Sequence, residues 1–146
     1  MKNLRHTRSG PKQQGFSLAE LMVVIVIIGL LATAVVPQLI ERMGDAFGGK
    51  AKADVTTISQ SVTMYAVNNA GRYPESLEEL ITPDLNGTTY LDATVLPVDP
   101  WGNPYGYEGP QGNQPFLVWC YGQDGEQGGE GDDRDFNNVM IKNGEY

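Results

Sequence analysis

From Phe16 to Val36 the chain runs for 21 residues with a single charged side chain, Glu20. As an α-helix this run would extend roughly 31 Å at 1.5 Å per residue, close to the ~30 Å hydrocarbon layer of a bilayer. A basic stretch followed by an apolar run also begins a secretory signal peptide. There, however, the apolar core spans only about 7–15 residues and the small-residue cleavage site follows it. Here the small residue, Gly15, precedes the run, so a retained single-pass anchor is expected. Residues 1–15 hold Lys2, Arg5, Arg8 and Lys12 and no acid. The positive-inside tendency therefore keeps the N-terminus cytoplasmic and exports the remainder.

Charge narrows the partners of that remainder. The whole chain has a net charge of -8, but residues 16–146 carry six basic and eighteen acidic side chains, a net of -12. Nucleic acid is excluded as a partner of the main body, because phosphate recognition requires clustered basic residues. Cys120 is the one cysteine, so no intramolecular disulfide can form.

Glu20 is the residue that a simple anchor does not explain. A charge at the bilayer centre costs roughly 2.5–3.5 kcal/mol, and less near the interface, so it either sits shallowly among head groups or has a partner. Cleavage after Gly15 would create such a partner, an ammonium group on Phe16 about one turn away, which a neighbouring copy can bring to the carboxylate. A mismatched register would leave a charge unpaired in an apolar bundle, a loss of roughly 3–5 kcal/mol. Glu20 then acts as a setter of register more than as glue.

The stretch "KQQGFSLAE" resembles the cleavage and N-methylation motif of type IV pilins and pseudopilins: a basic leader ending in Gly15, then Phe16 and the acid Glu20. The resemblance implies that a prepilin peptidase cuts between Gly15 and Phe16 and methylates the Phe16 amine. It also implies that Glu20 meets the Phe16 amine of an adjacent subunit during filament assembly.

Beyond the anchor, Ile40, Met43, Phe47, Ala51, Val55, Ile58, Val62 and Tyr65 recur at three- and four-residue steps. That period places them on one face of a helix from Gln38 to about Asn69, whose apolar stripe must be covered by the C-terminal domain. Pro37 is expected to kink or loosen the helix. Gly44, Gly48 and Gly49 are expected to interrupt it, at about 1 kcal/mol each relative to alanine. The segment "KAKADVTTISQSVTMYAVNNAGRYP" resembles the end of the long helix in the major pseudopilin of type II secretion systems. The match departs at Glu75-Ser76-Leu77-Glu78-Glu79-Leu80, where that family is threonine-rich.

Glu75–Ile81 reads as a short helix ended by Pro83, and residues 86–115 as loop with brief extended pieces. Phe116–Tyr121 and Asn138–Lys142 read as two strands of a small antiparallel sheet. Within the loop, "DPWGNPYGYE" resembles a signature of the major pseudopilin. Trp101, Tyr105 and Tyr107 are read as a cover for a small core rather than as a ligand site, and Cys120 as a small buried apolar residue.

Between the two strands, "GQDGEQGGEGDDRDFNN" carries Asp124, Glu126, Glu130, Asp132, Asp133 and Asp135 among five glycines. So many like charges must be solvated or neutralised. A hard cation such as calcium takes six to eight oxygens, and glycines let backbone carbonyls turn inward. The spacing is not that of an EF-hand, and composition alone leaves a solvated acidic loop equally open. The resemblance implies calcium, with Asp124 and Asp135 as first and last acids and Asp132 and Asp133 as further ligands.

Enzymatic activity is not expected. His6 lies in the basic leader and Cys120 has no histidine beside it, so nucleophilic chemistry has no evident site. The chain is thus expected to be α+β and pilin-like, a long N-terminal helix packed on a small antiparallel sheet. Its segments are a leader (1–15), a membrane-spanning, filament-core helix (16–37), an amphipathic continuation (38–70) and an exported domain (71–146). By resemblance it is a major pseudopilin in the bacterial inner membrane, with its C-terminal domain in the periplasm. It would form a homo-oligomeric filament and meet the prepilin peptidase, an inner-membrane assembly platform and minor pseudopilins. A type IV pilin or minor pseudopilin is the alternative within the fold, and a membrane-anchored hydrolase the alternative outside it.

Overall fold

The computed structural model describes residues 15–85 and 87–145. Residues 1–14 of the expected leader therefore lie outside the described residues. Helix α1 spans Leu18–Asn68, 51 residues with Pro37 inside it. It contributes to two compact units of the described residues, one ending at Leu39 and one beginning at Ile40.

The first unit is the apolar half of α1. Its side chains from Leu18 to Val36 are exposed, and the helix is long and apolar enough to cross a membrane. An apolar surface on every side of a helix suits hydrocarbon surroundings rather than water.

In the second unit α1 continues through Gly44, Gly48 and Gly49 without a break, which corrects the expected interruption. The physical reason is close packing against the helix. A Cβ on Gly44 would overlap the carboxylate of Asp132, and one on Gly48 would lie 3.8 Å from the Phe136 ring. These neighbours occupy the space that side chains would fill, and their contacts offset the weak helix propensity of glycine. The predicted stripe then divides. Ala51, Val55, Ile58 and Val62 are buried, whereas Ile40 and Met43 are exposed.

After α1 come α2 (Glu78–Ile81), β1 (Gly106–Glu108), β2 (Leu117–Cys120), a 3₁₀ turn (Gly131–Asp133), β3 (Phe136–Asn137) and α3 (Asn138–Asn143). The strands form an antiparallel sheet in the order β1-β2-β3, with Tyr107 opposite Val118 and Cys120 opposite Phe136. Side chains alternate across β2, so Val118 and Cys120 point into the core. There they join Val55, Ile58 and Val62 of α1, Leu77 and Leu80, Leu91, Tyr105 and Phe136. At roughly 1.5–3 kcal/mol for each fully buried large aliphatic residue, this one cluster supplies most of the unit's stabilisation.

Two element assignments differ from those read in sequence. The helix expected from Glu75 begins only at Glu78, because Glu79 Oε1 accepts the Glu75 amide (3.1 Å) and Pro74 turns its carbonyl to the Tyr107 hydroxyl (2.9 Å). The strand expected at Asn138–Lys142 is helix α3, and its strand neighbour β3 lies just before it. Asn137 caps α3, its Oδ1 accepting from the Met140 amide (2.8 Å), and Gly144 closes it in the left-handed conformation. Val139-Met140-Ile141 favours a strand by residue type, but the flanking caps decide the outcome.

Candidate functional site

Two regions carry the residues singled out above, one in each unit. At the start of α1, Phe16 is exposed and lies just outside the helix. Ser17 and Glu20 form a reciprocal capping box. The Ser17 amide donates to Glu20 Oε2 (2.8 Å) and the Glu20 amide donates to Ser17 Oγ (3.2 Å). The sequence reading missed this box, although the Ser-x-x-Glu spacing is the signal for it. The box also uses the attraction between a carboxylate and the positive end of the helix dipole. Glu20 therefore has an intramolecular role in an isolated copy.

In the second unit the acidic loop is built on the turn at Asp99. Asp99 is buried, and its Oδ1 accepts from the amides of Trp101 (3.0 Å) and Asn103 (2.7 Å) while Oδ2 accepts from the Cys120 thiol (3.2 Å). Asn103 then donates from Nδ2 to the Gly122 carbonyl (3.0 Å), where β2 ends and the loop begins. Asp99 and Asn103 are thus the parts of "DPWGN" that position the loop, a role the aromatic reading of that motif missed. The aromatic residues do cover the core. Tyr105 is buried with its hydroxyl on Asp54 Oδ2 (2.8 Å), and Trp101 meets Phe47 edge to face at 6.0 Å. Burial pushes the Cys120 thiol up to about 12, so it holds its proton at neutral pH and offers no nucleophile.

The four candidate ligands sit at separate points of the loop. Asp124 Oδ1 accepts from the Glu126 amide (3.1 Å). Asp132 and Asp133 lie in the 3₁₀ turn, with the Asp132 carboxylate against α1 at Gly44. Asp135 Oδ2 accepts from the Gly128 amide (2.9 Å), and its Oδ1 is buried with no hydrogen-bond partner. Among the described residues, no group of three or more His, Cys, Asp or Glu side chains is gathered closely enough to hold a metal ion. The orphaned oxygen nonetheless fits a cation, since a buried carboxylate oxygen without a partner is costly. Carbonyls of the loop would have to supply most of the remaining ligands.

Residues 38–139 match the family described as "Type II secretion system (T2SS), protein G", and residues 10–36 match the prokaryotic N-terminal methylation motif. The chain belongs to the type II secretion protein G family. It is 41% identical to the type II secretion system core protein G of Pseudomonas aeruginosa, over 87% of this chain and 95% of that one. To the same protein of Vibrio cholerae it is 39% identical, over 90% and 94%. Its structure is similar to the crystal structure of the major pseudopilin from the type 2 secretion system of enterohaemorrhagic Escherichia coli, with a TM-score of 0.55 and 26% identity. That likeness covers 73% of this chain and 97% of the other. The family is that of the major pseudopilins, structural subunits with the pilin-like fold. The departure at residues 75–80 falls inside the matched span and does not remove the chain from it.

Proposed function

We propose that this pseudopilin is cut between Gly15 and Phe16 by a prepilin peptidase, methylated on the Phe16 amine, and assembled into a homopolymeric periplasmic filament that drives protein export. The inner-membrane assembly platform and minor pseudopilins are its partners in that process. The observation that carries the reading is the placement of Phe16 outside the helix and exposed, one turn before Glu20. An exposed, non-helical scissile bond is accessible to a peptidase, and the amine it releases can reach a carboxylate. In an isolated copy the Ser17 amide occupies Glu20 Oε2. An incoming Phe16 amine from a neighbour adds a charge-assisted bond to the same carboxylate, which is stronger than a neutral one. Orientation follows the basic residues of the leader, with the second unit outside the cytoplasm.

Calcium binding by the acidic loop belongs to the same proposal. Asp135 would anchor the ion through Oδ1, and Asp124, Asp132 and Asp133 would complete the charge around it together with loop carbonyls. When bound, the ion neutralises a loop whose carboxylates otherwise repel one another. The deciding experiment for the assembly reading is the intact mass and N-terminal sequence of the chain isolated from membranes. A mature chain starting at N-methylated Phe16 is expected, and one still starting at Met1 sinks the reading.

A further inference from the structure

We propose that the apolar groove between the C-terminal half of α1 and α3 seats residues 82–98 of a second copy of this chain, an inference that rests on the polymer reading above. The groove has a volume of about 1020 Å³ and its walls include Met64 and Val67 of α1, Phe116, and Ile141 and Lys142 of α3. Met64 and Val67 are 59% and 74% exposed, away from the core that Val55, Ile58 and Val62 fill. Isolated apolar side chains are ordinary on a surface, but a continuous apolar cleft with walls from two elements marks a binding face.

The same chain exposes apolar side chains on one of its loops, where Leu91 is buried in the core but its neighbours turn outward. In residues 82–98 Leu85 is fully exposed and Val95 is 74% exposed. Among the described residues, none of that segment lines the groove, so a copy does not fill its own. The charges also match. Among the described residues Lys142 is the one charged side chain lining the groove, whereas residues 82–98 contain Asp84 and Asp92 and no Lys or Arg. Copies that each carry a net of -12 beyond residue 15 repel. A lone cation at the rim of an apolar cleft, facing the exposed Asp92, gives both attraction and register. Because groove and loop are different patches of one subunit, the contact is heterologous. Such a contact propagates from copy to copy instead of closing a two-fold pair, which is what a filament requires.

The test uses the full-length chain in cells that assemble the filament, with Met64→Cys and Val95→Cys introduced together and joined by a short bismaleimide. Native Cys120 is buried and serves as background. A ladder at multiples of the subunit mass is expected from the double variant and from neither single one. Lys142→Glu should reduce filament yield roughly tenfold, with recovery when combined with Asp92→Lys, as expected for a charge pair across an interface. Filaments of the double variant without a ladder overturn the docking and leave the polymer reading intact. Cross-linking of the Met64→Cys variant to a different polypeptide overturns it as well. If the cysteine pair blocks assembly, the charge swap decides: recovery supports the contact and its absence refutes it. No filament from the unsubstituted chain removes the polymer reading and this contact together.

Discussion

Gly122 faces the backbone carbonyl of Asp133 so closely that a Cβ built on Gly122 would lie 2.5 Å from the carbonyl carbon and 2.7 Å from its oxygen. The Gln123 amide donates to the Asp132 carbonyl (2.9 Å) beside this contact, so the two ends of the acidic loop are held together at its neck. Gly122 also has a φ of +76°. A side chain there meets backbone, which cannot rotate away as a side chain can.

Gly122→Ala is therefore expected to cost about 2–5 kcal/mol, the sum of left-handed strain and overpacking. Gly112 also has a positive φ, but no atom lies within 4 Å of its Cβ position. Gly112→Ala should cost only about 1 kcal/mol. Urea unfolding of both variants separates clash from strain, and equal losses would show that the neck contact is unimportant.

Asn138 extends the sheet beyond β3 with its side chain. Its Nδ2 donates to the Phe116 carbonyl (3.1 Å) and its Oδ1 accepts from the Val118 amide (3.0 Å). Asn138→Asp keeps the acceptor, loses the donor and sets a carboxylate against a carbonyl oxygen. A loss of about 1–3 kcal/mol is expected. Asn137→Ala, which removes only the cap of α3, should cost about 1 kcal/mol. Thermal unfolding of the two variants at neutral pH checks the order, and a harmless Asn138→Asp would contradict the sheet role.

Stability should fall as pH rises from 9 towards 12. Burial pushes Cys120 from 9.0 up to about 12 and Tyr107 from 10.0 up to about 12. Burial also raises Tyr105, with the Asp54 carboxylate adding to the effect. These groups ionise first in the unfolded chain. Unfolding then releases protons, and higher pH favours it. On the acid side the Tyr65 hydroxyl lowers Glu79 below 4.5, so its contribution is present above that value and is lost as pH falls through the folded pKa. Urea midpoints from pH 3 to 11 test both limbs. Tyr107→Phe should flatten the alkaline one, and a midpoint constant from pH 8 to 11 would rule it out.

Glu20→Gln separates the two roles of Glu20. Glutamine also completes a capping box, so the N-terminus of α1 should survive. The charge needed to meet a Phe16 amine is gone. Membrane insertion is expected to be unchanged, with processing at Gly15 retained, while filament yield falls at least tenfold, the equivalent of about 1.4 kcal/mol. Normal filaments from this variant would confine Glu20 to helix capping.

Calcium should raise the thermal midpoint of the chain relative to a chelator, because a ligand bound only by the folded form stabilises it by mass action. At a free concentration of 100 times the dissociation constant the gain is about 2.7 kcal/mol. Asp135→Asn, which keeps a neutral oxygen at the orphaned position, should weaken the shift, and Asp135→Ala should abolish it. Identical midpoints with calcium and chelator would leave the loop without a metal.

Sequence alone determined what periodicity and local spacing encode. The 21 apolar residues from Phe16 define the anchor, and the three- and four-residue steps from Ala51 to Val62 define the buried face of α1. Each of these depends on neighbours within one or two turns. Tertiary structure decided whatever required distant groups to meet. Gly44 and Gly48 remain helical because Asp132 and Phe136, nearly ninety residues later, fill the space beside them. The side chain of Asn138 extends the sheet only because folding brings Phe116 and Val118 to it. Asp99 anchors the loop only because folding brings Cys120 and, through Asn103, Gly122 to it. Propensity ranks residues by local cost, whereas these outcomes turn on contacts that exist only once the chain has closed.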